Sequence, residues 1–163
     1  MAFRRSVLGA AFVVAALVLA SPVSAQHPLD GTWILSEKAS RNVPDALKGV
    51  DVKLHVQAER ITSVREVGGR QIGQALIVIV DGTPHQTDIG NNQTASIEAR
   101  WANDLRGWEQ TVKLKTSNPG LPAVQKTVST LSPDGNSLTR VQTTYQFGKS
   151  EERVLVYRRK PAS

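Results

Sequence analysis

Three histidines, His27, His55 and His85, are the side chains of this chain best suited to moving a proton or holding a metal near neutral pH. Their spacing argues against both roles. No two stand at a metal-ligand interval, and a chain without cysteine has no thiolate site. His27 lies in the lead to the first strand, His55 on the polar side of an alternating run, and His85 just after Pro84. Three solvated imidazoles are expected, with no metal and no cofactor. Asp30, Asp45, Asp81, Asp104 and Asp134 each sit beside Gly, Pro, Asn or a loop, where a carboxylate hydrogen-bonds a turning backbone. Glu151 and Glu152 are expected to face Lys or Arg across the final hairpin. No nucleophile elbow, phosphate loop or dinucleotide fingerprint is present, and Gly68, Gly69 and Gly73 have turn spacing. Catalytic residues are therefore assigned to none. An enzyme would need two or three of His55, His85, Asp88, Glu98 and Glu109 to converge around a pocket.

Binding is the better-founded chemistry. Trp101 and Trp108 flank one loop and are placed to meet across a hairpin, as core or as the lining of one mouth. Core is the commoner fate of indoles in a domain this poor in aromatics. Arg140 and Gln142 alternate in step with Leu138 and Thr144, so both are expected to point inward. A polar group there is costly unless partnered, which makes a buried Arg140 without a protein partner the most informative outcome. The candidate ligand-binding set is Trp101, Trp108, Arg140, Gln142 and Tyr145. The basic end Arg158-Arg159-Lys160 lacks the interleaved aromatics of a nucleic-acid platform, so no nucleic-acid partner is expected.

Short strands must position these residues. Val50, Val52, Leu54 and Val56 alternate with polar neighbours, a period of two. The same holds for Ala95 to Trp101 and for Trp108 to Leu114. A helical turn is expected at Pro44 to Lys48. The apolar run Ala75 to Val80 reads as a central or doubly covered strand, and Asp81-Gly82 as a tight hairpin turn after it. Further turns fall at Gly68-Gly69, Ser117 to Gly120, Ser132 to Asn136 and Gly148. The fold class is all-β, an antiparallel up-and-down barrel of eight to ten strands with little helix, because closure removes exposed strand edges. A membrane-spanning barrel needs aromatic girdles that this chain does not supply.

Residues 1–25 have the layout of a secretory signal peptide: Arg4 and Arg5, an apolar stretch from Val7 to Ala20, and Val23-Ser24-Ala25 before Gln26. The apolar stretch is too short to cross a bilayer of about 30 Å. Residues 26–163 then form a single domain, periplasmic or secreted, not inserted in the membrane after cleavage. Removing Arg4 and Arg5 lowers the net charge from +6 to +4. A modest positive balance favours solubility and loose attraction to anionic surfaces.

Gly31-Thr32-Trp33 on a first strand is similar to the Gly-X-Trp signature of lipocalins and the wider calycin group. Asp30 to Asn42 with Leu131 to Gly135 also resembles small exported lipocalin-like bacterial proteins without assigned activity. The resemblance implies that Trp33 closes the narrow end of a barrel, that Gly31 precedes it, and that Arg158 or Arg159 lies across the indole. It implies an exported barrel that binds a small apolar or amphipathic molecule without catalysis. A filled barrel that binds a protein or envelope polymer is the alternative, and a barrel-mouth hydrolase or isomerase is third. Cavity volume separates the first two, since ligand pockets begin at about 300 Å³.

Overall fold

The computed structural model describes residues 26–90, 93–102, 104–115 and 124–161. The signal-like segment and the Ser117 to Gly120 turn lie outside these residues. Period-two alternation becomes ten antiparallel strands: β1 Gly31–Leu35, β2 Asp51–Gln57, β3 Arg60–Val67, β4 Arg70–Ile79, β5 Asp81–Gly90, β6 Gln93–Trp101, β7 Gly107–Lys115, β8 Val124–Leu131, β9 Ser137–Gln146 and β10 Lys149–Arg159. Among the described residues helix is confined to two short 3₁₀ turns, Glu37–Ala39 and Asp45–Leu47. The second falls where proline presets the first turn of a helix.

The sheet runs in the order β4-β3-β2-β1-β10-β9-β8-β7-β6-β5, an up-and-down meander joined through β1 and β10. Its two ends, β4 and β5, come near each other without a ladder between them, leaving a nearly closed barrel. This corrects two expectations. Asp81-Gly82 does not make a hairpin, because Asp81 Oδ1 accepts from the Thr83 N–H and hydroxyl at 2.8 Å and Asp81 pairs onward with Arg100 of β6. Pro84, lacking an N–H, sits on the resulting edge. The run Ala75 to Val80 is likewise not doubly covered: Val78 and Val80 turn inward, but Ile77 is 43% exposed on an edge strand.

One wall-to-wall core fills the closed half. Val52, Leu54 and Val56 of β2 meet Ala95, Ile97 and Ala99 of β6 with Leu155 and Tyr157 of β10, all buried. The alternation that the sequence carries survives intact in β2, whose side chains switch strictly between core and solvent. Gly107 lies against the backbone of β8. A Cβ there would lie 2.1 Å from the Ser129 carbonyl oxygen of β8.

Candidate functional site

Trp33 of β1 is packed beneath the last strand. Its ring is fully buried and its Nε1 donates to the Leu29 carbonyl at 3.1 Å. The Arg159 guanidinium carbon lies 4.3 Å from the ring centroid. Arg159 also donates to the carbonyls of Gly135 (2.9 Å), Asp30 (2.6 Å) and Pro28. Gly31 holds a φ of +128°, a conformation that favours glycine, and a Cβ on it would sit 3.0 Å from Arg159 Nη1, so a larger residue would also press on that guanidinium. Arg158, next along β10, points to solvent and takes no part in these contacts.

Trp101 lies beside the same N-terminal lead. Its Nε1 donates to the Ala58 carbonyl at 3.2 Å and its ring stacks on His27, 5.3 Å between centroids. Although Trp101 and Trp108 are directly opposite in the β6–β7 register, only Trp108 reaches the interior cavity.

That cavity measures about 330 Å³. Its walls are mixed in character: Val78, Ile97 and Leu155 on one hand, and Arg65, Gln110, Gln125, Arg140, Gln142 and Tyr157 on the other. Register explains why the polar residues gather. Ser129 is opposite Arg140, Thr127 opposite Gln142 and Gln125 opposite Thr144, so the inward faces of β8 and β9 are polar in successive rows. Gln110 satisfies the Trp108 indole, accepting from Nε1 at 2.9 Å. Arg140 lies 5.6 Å from the Trp108 ring centroid. Yet Arg140 Nε, Thr127 Oγ1 and Ser129 Oγ are buried without a hydrogen-bond partner. Three unsatisfied polar groups in one corner are unusual, since burying such a group alone costs about 1–3 kcal/mol. Burial pushes the Tyr157 hydroxyl above its ordinary range, opposed by the charge of Arg140, by a hydrogen bond to it, and by the charge of Arg65. The interior is therefore a cationic, donor-rich corner against an aliphatic wall.

No family model matches the chain, and no curated protein matches it. Solved structures do. A REP1-NXSQ fatty acid transporter superposes with a TM-score of 0.57 at 11% identity, covering 83% of this chain and 98% of that one. Lipid binding protein 8 of Caenorhabditis elegans gives 0.56 at 7% identity, with 82% and 96% covered. Zebrafish ileal bile acid-binding protein, complexed with cholic acid, gives 0.54 at 9% identity, with 82% and 99% covered. The chain shares their fold, a nearly closed antiparallel up-and-down β-barrel.

Within this barrel the other sequence candidates are dispersed. Trp108, Arg140 and Gln142 line the cavity, whereas Trp101 does not. Tyr145 is also outside it, 43% exposed on the outer surface with Lys126 Nζ 5.8 Å from its ring, because it has the opposite strand parity to Arg140. Gln110, Thr127, Ser129 and Tyr157 are buried polar residues that the sequence did not single out for the site, and Arg65, itself exposed, joins the cavity lining. Each stands two residues from another inward side chain, so strand parity was the available signal. Of the five residues an enzyme would draw on, Glu98 and Glu109 share a shallow outer groove of about 230 Å³, where Arg100 Nη2 holds Glu109 at 2.7 Å. His55 is elsewhere, 3.8 Å from Asp30. His85 is bound to Asp81 at 2.9 Å on the β5 edge, and Asp88 lies farther along that strand. Asp81, held by the Thr83 backbone N–H first and by His85 and the Thr83 hydroxyl next, has its pKa lowered to about 2. It is a turn carboxylate. Among the described residues no group of three His, Asp or Glu side chains is arranged to hold a metal.

Proposed function

We propose that the barrel binds a small amphipathic molecule whose anionic head is held by Arg140 and whose apolar tail lies along Val78, Ile97 and Leu155. The observation that carries this reading is the buried, unpartnered Arg140 Nε beside two unpartnered hydroxyls. Of the three, Arg140 lines the cavity, where a carboxylate would accept from its Nε and neutralise the guanidinium; Thr127 and Ser129 are not part of the cavity lining. Arg65 and the Tyr157 hydroxyl add charge and a further donor to the same corner. The structural neighbours support the choice of ligand class, being a fatty acid transporter, a lipid binding protein and a bile acid-binding protein. A volume of about 330 Å³ stands above the roughly 300 Å³ at which ligand pockets begin, which favours a cavity over a filled barrel and a short tail over a long one.

Calorimetric titration with decanoate and with decanol tests the reading. A charged hydrogen-bonding head contributes about 1.5–3 kcal/mol, so decanoate should bind about 10- to 150-fold more tightly. Equal affinities, or no binding of either, would reject it. We also infer export, on the layout of residues 1–25, with the barrel acting in the periplasm or outside the cell. Mass spectrometry of the processed chain should find Gln26 at its N-terminus. No helix among the described residues is long and apolar enough to cross a membrane.

A further inference from the structure

The β9–β10 hairpin turns through Phe147 and Gly148, between the paired residues Gln146 and Lys149. Both turn residues have positive φ, 49° and 72°. That is the primed two-residue turn, whose first position favours Asn, Asp or Gly, and an aromatic there is out of place. Packing does not account for it either, because Phe147 is 75% exposed. Phe147 is an apolar side chain at the hairpin tip that neither conformational preference nor burial accounts for.

Its surroundings are basic and aromatic. Lys113, Val124 and Tyr145 follow one another across the outer face of β7, β8 and β9. Lys126 caps the Tyr145 ring from the next row, and Lys149 opens β10 beside the tip. All three lysines are exposed. The carboxylates of this strand are matched elsewhere, Glu151 by Arg153 at 4.0 Å and Glu152 by Arg41 at 3.5 Å. By strand direction the tip stands at the end opposite Trp33.

We propose that this end of the barrel docks on an anionic phospholipid bilayer, with Phe147 entering the interfacial layer and Lys113, Lys126 and Lys149 against the headgroups. An exposed aromatic flanked by cations is the pairing that binds such surfaces: apolar insertion supplies depth and charge supplies attraction. The net charge, +6 for the whole chain and +4 for residues 26–163, is of the matching sign. None of these residues lines the interior cavity, so docking and ligand binding can fail separately.

The chain has no cysteine, which permits a local readout. Ser150→Cys beside the tip and Glu59→Cys at the opposite end are each labelled with an environment-sensitive nitrobenzoxadiazole. Vesicles of phosphatidylglycerol with phosphatidylcholine should blue-shift the label at 150 and leave that at 59 unchanged. Binding through the apolar residues 1–25 would not produce this asymmetry. Pure phosphatidylcholine should give a response about tenfold weaker. Adding Phe147→Asn should abolish the shift while leaving the unfolding midpoint equal or higher, because asparagine suits the turn. An equal response at both positions, no response at 150, a response insensitive to Phe147→Asn, or one indifferent to phosphatidylglycerol would overturn the proposal. So would a vesicle-free shift that grows with protein concentration, which would assign the tip to a second copy of the chain.

Discussion

Arg159 lies across Trp33 at 4.3 Å and is at the same time a three-way tie between chain segments, donating to Pro28, Asp30 and Gly135. It joins the N-terminal lead, the β8–β9 turn and the last strand around one indole. Arg159→Gln loses a cation–π contact of about 0.5–2 kcal/mol and disturbs three carbonyl acceptors, so urea unfolding should show a loss of about 2–3 kcal/mol. Arg158→Gln, on the solvent side of the same strand, should stay within about 0.5 kcal/mol of the parent.

Gly107 faces the backbone of β8 with no room for a methyl group. Gly107→Ala must push the two strands apart or move β7, at a cost of about 1–3 kcal/mol. Gly68→Ala, whose added Cβ would meet nothing, separates the two ways a glycine can matter, since it carries only the strain of φ +58°. Parallel thermal melts should rank Gly107→Ala as the more damaging.

Asp30 is a carboxylate with a buried duty: its Oδ1 accepts the Val56 N–H at 2.5 Å and ties β2 to the chain just before β1. Asp30→Ala leaves that amide without a partner and should cost about 1–3 kcal/mol in denaturant unfolding.

His27 accepts the Leu29 N–H at Nδ1 while stacked on Trp101. Burial lowers its pKa below 6.5, outweighing the opposite pull of Asp30. A histidine whose folded pKa is depressed binds more protons when unfolded, so the stability it contributes is present above pH 6.5 and lost as pH falls through its folded value. Denaturation midpoints should therefore drop between pH 7.5 and 5, and His27→Asn should flatten that part of the profile.

Arg140 separates function from stability. Arg140→Met removes the unpartnered Nε but also the guanidinium over Trp108 and the hydrogen bond to Tyr157, so the ligand-free barrel should stay within about 1 kcal/mol of the parent in denaturant unfolding. The same variant should lose its preference for decanoate over decanol. A variant that is destabilised and binds unchanged would show Arg140 to be a packing residue.

Much of this architecture was legible in the chain because a strand's side-chain period of two is written directly into Val50 to Val56 and Trp108 to Leu114. The Ser132 to Asn136 turn and the hairpin over Gly148 were likewise readable from local chemistry. The opening between β4 and β5 was not. Asp81-Gly82 has the composition of a hairpin, and only the capture of Thr83 by Asp81 sends the strand onward to β6. The site was half legible for a related reason. Parity places Arg140 and Gln142 inside and Tyr145 outside, but parity alone does not show that Thr127 and Ser129 stand beside Arg140, since that depends on the β8–β9 register.

The central claim is that Arg140 holds an anionic head inside the barrel. A crystal structure of the protein with decanoate tests it most directly. The account predicts a carboxylate oxygen about 2.7–2.9 Å from the Arg140 guanidinium, with the tail against Val78, Ile97 and Leu155. Decanoate found on the outer surface, or inside with its carboxylate turned away from Arg140, would contradict it.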